Sequence, residues 1–385
     1  MLRFSTAGES HGQAVIAILE GIPAGLTINT EDIDVDLARR QKGYGRGLRM
    51  HIETDHVDIL SGVRHARSLG SPITLCVQNK DWENCKSLMS PISVNLDGKE
   101  LSKPRPGHAD LAGLMKYNVK DFRDILERAS ARETVARVAV GAVCRELLKK
   151  FGINIYSYVE QIGTVTAKIS DIPKDKLQHQ AEMSFVRCPD KIASKKMINL
   201  IRQSIRKGNT LGGKFKVVAE NIPVGLGSHT QWDMKLDGRL AQSLMSIQAI
   251  KSVEIGAGCK FAKLLGSDAH DEIYYSKENG FYRKTNRAGG TEGGISNGEN
   301  IEISCTMKPI PSLVKPLQTV DINTKKIVKA EAVRSDVCAV PAAGVVGEAA
   351  VAFEIAKAMT EKFGGDSLEE MKANFTSYIS RLKKI

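Results

Sequence analysis

GESHGQAVIAILEGIPAGL, residues 8–26, recurs as GNTLGGKFKVVAENIPVGL, residues 208–226. The offset is 200 at every position, with no gap. Gly8, Gly12, Glu20, Ile22, Pro23, Gly25 and Leu26 have identical counterparts at 208, 212, 220, 222, 223, 225 and 226, and further on Arg39 pairs with Arg239. Four of those seven identities are Gly or Pro, the residues that backbone geometry dictates. Each copy reads as a glycine turn, a strand, an Ile-Pro-x-Gly-Leu turn and a helix. The reading is a duplicated α+β chain with pseudo-twofold symmetry, repeat 8–39 against 208–239. No flexible linker separates the copies, so residues 1–385 are expected to form one domain.

Outward from the repeat, Ser130-Ala-Arg-Glu133 has the form of a capping box opening a helix to about Lys150, with Gly152 beyond its end. Val135, Val138, Ala139, Ala142, Val143 and Leu147 recur at helical spacing and predict its buried face. Residues 342–363 are apolar nearly all round, which predicts a central helix. A last helix is expected from Ser367, with Glu370 as its capping partner. The region 168–207 is the least regular, though KIASKKMINLIRQSIRKG within it reads as a basic amphipathic helix.

With 42% hydrophobic and 26% charged residues the chain is globular rather than disordered. A formal charge of +11 suits an anionic partner, whether nucleic acid, membrane or a polyanionic small molecule. Seven widely spaced cysteines without a C-x-x-C argue against a disulfide framework and a zinc site, and for reduced thiols in a cytoplasmic protein. No metal-ligand cluster stands out. No run of ~18 apolar residues suggests a membrane span, and no signal peptide is legible.

Three motifs invite readings that their context opposes. GESHG (8–12) has the spacing of a serine-hydrolase elbow, yet only seven residues precede it, too few for the parallel sheet that the elbow needs. GNTLGGKF (208–215) falls short of a P-loop, because Phe215 replaces the Mg²⁺-binding hydroxyl and a strand rather than a helix follows. RRQKGYGRGLR (39–49) resembles an Arg-Gly nucleic-acid segment, but it occurs once and aromatic content is only 5%.

The chemistry is expected elsewhere. Arginines collect in a few glycine-rich or loop segments: Arg39, Arg40, Arg46 and Arg49; Arg105 in RPGHAD; Arg128 and Arg132; and Arg334 in RSD. The guanidinium fork grips phosphate and carboxylate in bidentate fashion. His11 and His108 each stand near Gly and beside a carboxylate, Glu9 and Asp110, a setting for an imidazole in proton transfer. GGTEGGISNG (289–298) with Lys308 beyond it could cradle a phosphate or a flavin edge, or could equally be a hairpin turning at Asn297-Gly298.

Taken in order, TAGESHG (6–12), GYGRGLRM (43–50), LSGVRHARSLGSPI (60–73), NKDW (79–82), RPGHADL (105–111), ERASARETVARVAVGA (127–142), GSHTQWD (227–233), HDEI (270–273), TNRAGGTEGGISNG (285–298), MKPIPS (307–312) and RSDVCAVPAAG (334–344) resemble the chorismate synthase family from residue 1 to about 360. The resemblance implies a β-α-β sandwich with a helical central layer and an internal duplication. It implies a cytoplasmic homotetramer that binds reduced FMN, with NADPH as a candidate reductant, and no nucleic-acid or membrane partner. The implied reaction is trans-1,4 elimination of phosphate from 5-enolpyruvylshikimate 3-phosphate, a carbon–oxygen lyase step without net redox change.

It implies roles residue by residue. His11 is similar to a proton donor toward reduced flavin, His108 to the histidine near the departing phosphate, and Asp336 to the aspartate that helps remove the C6 proton. Arg40, Arg46, Arg49, Arg105, Arg132 and Arg334 match substrate-lining positions. Arg128, Ala129, Ser130, Gln248, Ala249, Gly293, Lys308, Pro309, Ile310, Pro311, Ser312 and Arg334 match flavin-contacting positions. The chain departs from the usual pattern at Gln41-Lys42, Cys85, Gln248 and Val337. The last removes a φ restraint beside Asp336.

Overall fold

A computed structural model describes residues 1–47, 54–94, 98, 100–278, 280–333 and 335–385. Two antiparallel sheets enclose a layer of helices. The first sheet has the order β1-β2-β6-β3, from β1 (Arg3–Ala7), β2 (Ala14–Glu20), β3 (Asp58–Ser61) and β6 (Ile73–Gln78). Between β3 and β6 lies a short hairpin, β4 (Val63–Arg64) and β5 (Arg67–Ser68). The second sheet runs β8-β7-β9-β15-β10, from β7 (Asn154–Ile162), β8 (Val165–Thr166), β9 (Gly213–Glu220), β10 (Ile250–Ile255) and β15 (Ile301–Met307). Two hairpins interrupt the path to β15: β11 (Ile273–Ser276) with β12 (Gly280–Arg283), and β13 (Thr291–Glu292) with β14 (Ile295–Ser296).

The second sheet repeats the strand order of the first, with β7, β9, β15 and β10 in place of β1, β2, β6 and β3. The correspondence extends to single hydrogen bonds. Ser68 Oγ donates to Pro23 O (2.6 Å) and accepts from Leu26 N (2.9 Å); Ser296 Oγ donates to Pro223 O (2.6 Å) and accepts from Leu226 N (2.8 Å). Each serine thereby locks one Ile-Pro-x-Gly-Leu turn. The left-handed residue before the turn is Gly21 (φ +89°) in one copy and Asn221 (φ +61°) in the other, the side chain that best tolerates that region. The hairpin of the second copy turns at Gly293-Gly294, both with positive φ, and its counterpart at His65-Ala66. Asn297-Gly298 is therefore not the turn, contrary to one sequence reading.

Strand residues alternate, and one face of each sheet is apolar. Val15, Ala17 and Leu19 of β2 and Ile73, Leu75 and Val77 of β6 are buried, as are Phe215, Val217 and Ala219 of β9 and Ile301, Ile303 and Cys305 of β15. Those faces close on α1 (Thr30–Gln41), α4 (Thr134–Lys149), α7 (Leu236–Met245) and α8 (Val340–Phe363). Outside this layer are α2 (Asp110–Tyr117), α3 (Arg123–Ala129), α5 (Lys174–Glu182), α6 (Lys191–Arg206) and α9 (Leu368–Leu382). No helix among the described residues is long and apolar enough to cross a membrane. Cys76, Cys144, Cys188, Cys259, Cys305 and Cys338 form no disulfide.

The expected helices are present, with two changes of detail. Ser130 caps a short 3-10 turn, Ala131–Glu133, that leads into α4, accepting from Arg132 N. Glu133 does not close a reciprocal box; its carboxylate takes Thr6 Oγ1, Arg137 and Gln248 instead. The 168–207 region contains α5 as well as α6, whose start is capped by Asp190 through Ile192 N and Ala193 N.

α4 and α8 cross so closely that a Cβ on Gly141 would lie 2.3 Å from Ala349 Cβ. Beside this contact Glu348 is wholly buried. It accepts from Arg39 of α1 (2.8 and 2.9 Å), Arg145 of α4 (2.8 Å), Arg187 (2.9 Å) and Ser157 Oγ of β7 (2.7 Å). Asp36 and Glu182 complete a set of three carboxylates and three guanidinium groups. Burial pushes the Glu348 carboxyl up, but the three arginines outweigh it and hold it at about 2, below its ordinary 4.5. A depressed carboxylate stabilises the fold fully above pH ~4.5, and that contribution is lost as pH falls toward about 2. Glu348→Gln is expected to cost about 3–5 kcal/mol at pH 7, because it leaves buried guanidinium charge uncompensated. Urea unfolding at pH 7 and pH 3 should show the wild type losing more stability on acidification than the variant.

Candidate active site

The glycine turn 8–12 follows β1, the edge strand of an antiparallel sheet. Gly8 holds φ +105°, and a Cβ there would lie 2.2 Å from Ala14 O, so no other residue makes this turn. Arg128 of α3 fastens the turn by donating to Gly8 O (3.0 Å), Thr6 O (2.9 Å) and Thr6 Oγ1 (2.6 Å). Asn79 Nδ2 donates to Glu9 O and Gly12 O. Ser10 is buried and receives Ser130 Oγ (3.1 Å), which is no setting for an exposed nucleophile. The hydrolase reading fails on this geometry.

His11 is paired with Glu127, not with Glu9 as sequence adjacency suggested. Glu127 is buried and accepts from both His11 N (2.8 Å) and Nδ1, which is 2.9 Å from each carboxylate oxygen. His11 Nε2 lies 3.8 Å from Asp81 Oδ2. His108 follows the same plan: its Nδ1 bonds Asp110, a carboxylate with no exposure. Asp110 also accepts from Arg105 N, Nε and Nη2 (3.0, 3.0 and 3.2 Å). Burial raises the Asp110 carboxyl, but the bonds from His108 and Arg105 win and hold it at about 2.

Four arginines pair with three carboxylates, Asp55, Asp336 and Asp110. Arg40 and Arg132 share Asp55, at 2.7 and 2.6 Å, and Gln41 Oε1 accepts from Asp55 N. Burial, only partly offset by Asp55, together with the nearby Arg132 and Arg46, lowers the Arg40 pKa; burial raises Asp55, but the two arginines overcome it and hold it down. Arg40 Nε is buried with no hydrogen-bond partner. Arg132 Nε donates to Asn79 Oδ1 (2.8 Å), tying this group to the His11 turn. Arg46 lies 3.2 Å from Asp336. Arg105 Nη1 donates to Ser312 Oγ (2.9 Å), so the His108 loop rests on residues 308–312, and Lys308 Nζ donates to Gly107 O.

The Gly-Tyr-Gly-Arg-Gly segment is docked rather than extended for nucleic acid. Tyr44 N donates to Phe185 O, and Arg202 of α6 donates to Tyr44 Oη. Gly47 N donates to Asp336 Oδ1 (2.6 Å), and Val337 N donates to Gly45 O (2.7 Å). A proline at 337 has no N–H to give, so Val337 replaces a ring restraint by a tether. Asp336 is held from two sides. Ser335 Oγ donates to Ser312 O, and Thr210 Oγ1 of the second copy donates to Ile310 O, which joins the 308–312 and 335–337 segments to the second glycine turn.

A flavin fits the remaining positions. Gln248 donates to Glu133, while its Oε1 is buried without a partner and can receive a donor. Ala249, at φ +67°, accepts Lys308 N through its carbonyl, so these two flavin-matching stretches adjoin. Gly293 has open space where a side chain would stand. Ala129, Ser130, Pro309, Pro311 and Ser312 lie on the segments just described. Arg128 donates to the 6–8 backbone and to Thr6 Oγ1 from beside these segments. Arg49 and Arg334 lie outside the described residues. Asp55, Asn79 and Glu127 bond these side chains and were given no role in the sequence, although Asn79 and Glu127 open two of the quoted motifs; the partners that reveal their roles are 15 to 116 residues away.

The chorismate synthase family model matches residues 2–360. The chorismate synthase of Endomicrobium trichonymphae is 64% identical over 385 residues, all of both chains. That of Brevibacillus brevis is 54% identical over 386 residues, again covering both chains completely. A crystal structure of chorismate synthase superposes with a TM-score of 0.81 at 44% identity, over 100% of this chain and 99% of that one. With the family model, the full-length relatives and the fold in agreement, the chain belongs to the chorismate synthase family.

Proposed function

We propose that this chain eliminates phosphate from 5-enolpyruvylshikimate 3-phosphate to give chorismate, with FMN bound in its reduced form. The observation that carries the reading is the gathering of Arg40, Arg46 and Arg132 at one place, joined through Asn79 to the turn that bears His11. Among the described residues, Asp55 pairs with Arg40 and Arg132, and Asp336 pairs with Arg46. A ligand with one phosphate and two carboxylates suits such a group of guanidinium forks.

Arg40, Arg46, Arg105 and Arg132 bind and orient the substrate, with Arg49 as a further proposed contact. His108, whose Nδ1 lies against Asp110 and Arg105, presents Nε2 to the departing phosphate and offsets its charge. His11 supplies a proton on the cofactor side. Asp336, fixed by Gly47 N and Arg46, is oriented to accept the C6 proton. Gln248, Ala249, Gly293, residues 308–312, Arg128, Ala129, Ser130 and Arg334 are the proposed flavin contacts. When bound, reduced FMN lends electron density for C–O cleavage and recovers it, so that no net oxidation results. NADPH is the proposed reductant.

The continuous core supports treating residues 1–385 as one functional unit. The β11–β12 hairpin exposes Ile273, Tyr275 and Phe281, which supports association into the proposed cytoplasmic homotetramer.

Anaerobic incubation of protein and substrate with dithionite-reduced FMN should release phosphate and chorismate in equal amounts, and with oxidised FMN neither. Phosphate release independent of reduced flavin would remove the reading. His11→Ala and His108→Ala should each lower turnover roughly 10²–10⁴-fold while unfolding cooperatively like the wild type. Unchanged turnover in both would remove their roles.

A further inference from the structure

We infer that Glu127 is a positioning residue that sets the tautomer of His11, so that proton exchange takes place at Nε2. The inference rests on the lyase reading for its kinetic arm only.

Residue 127 holds the 10–11 turn at several points. Its carbonyl accepts Ser10 N (3.1 Å), Oε2 accepts His11 N (2.8 Å), and both carboxylate oxygens are 2.9 Å from His11 Nδ1. An ionised carboxylate has acceptor sites only, so Nδ1 must carry a proton. The carboxylate is 3% exposed, which makes this contact strong and hard for solvent to replace. A proton given up at Nε2 then leaves a neutral ring that keeps Nδ1–H on Glu127. The same ring regains its charge when Nε2 is reprotonated, on the side that faces Asp81 at 3.8 Å. Arg128, the next residue, binds the backbone of Thr6 and Gly8, so α3 fixes the turn and the ring together.

Glutamine at 127 keeps the shape and reverses the chemistry. Its single carbonyl oxygen is needed by His11 N, which places the amide NH₂ at the other oxygen's position, 2.9 Å from Nδ1. Two donors then meet there as long as Nδ1 keeps its proton, and the one remaining acceptor, also 2.9 Å from Nδ1, is shared with His11 N, so the Nε2–H form is favoured. The neutral ring therefore shifts to the Nε2–H form, and losing that proton would create an imidazolate.

The test is magic-angle-spinning ¹⁵N spectroscopy of ¹⁵N-histidine-labelled full-length protein, with His11 assigned by its loss in His11→Gln. It is run at a pH where the ring is neutral, without flavin or substrate. Wild type should show Nδ1–H with bare Nε2, and Glu127→Gln should show the reverse. In the kinetic arm Glu127→Gln should lower kcat roughly 10²–10⁴-fold with KM and the unfolding midpoint nearly unchanged. An Nε2–H ring in wild type overturns the inference without any variant, as does a Gln variant that keeps Nδ1–H, whether or not its activity falls. Absence of turnover in the wild type would remove the lyase reading and leave the tautomer result to stand or fall by the spectra.

Discussion

Glu348 is the group on which the arrangement of the two copies depends. A carboxylate with no solvent contact is tolerable only where opposite charge and donors surround it. Here they come from separate parts of the chain: Arg39 and Arg145 from α1 and α4, Ser157 from β7 of the second sheet, and Arg187 from the loop between α5 and α6. Satisfying one side chain therefore sets α1, α4, α8 and β7 in register. Apolar packing alone fills the space between the sheets but does not choose a register so sharply, since cores tolerate many volume-conserving arrangements.

This constraint reaches the site through one peptide bond. Arg39 and Arg40 are adjacent on α1 and project about 100° apart. Arg39 is bound by Glu348, while Arg40 meets Asp55 and Arg132 on the site side. Fixing α1 in the core thus fixes a buried cation in the site. The duplication explains why there is one such site and not two. Arg239 keeps the structural role of Arg39 by binding Glu354 and Glu361 on α8. Its neighbour is Leu240, a buried core residue, and the counterpart of His11 is Leu211. The second glycine turn supports residues 308–312 through Thr210 instead of carrying chemistry.

Much of this was legible in the sequence, because the repeat, the glycine and proline positions and the apolar helix 342–363 are local patterns imposed by backbone geometry and burial. The paired strand orders and the docking of the GYGRG segment were not, because they arise from contacts between distant segments. His11 and His108 were legible as types in context. The carboxylate of His108 was also legible, because Asp110 is two residues away. That of His11 was not: Glu9 is the near neighbour in sequence, but the turn at Gly8 brings the ring to Glu127 on α3 instead.

The central claim is that the arginine group around Asp55 is completed by the anionic substrate. Titration calorimetry with oxidised FMN present, which blocks turnover, tests it directly. The comparison is between 5-enolpyruvylshikimate 3-phosphate and its phosphate-free analogue, each with wild type and with Arg40→Met. The account predicts that removing the phosphate weakens wild-type binding at least roughly tenfold, and that the loss shrinks in the variant because phosphate and Arg40 are coupled. Equal affinity of the two ligands for the wild type would contradict it.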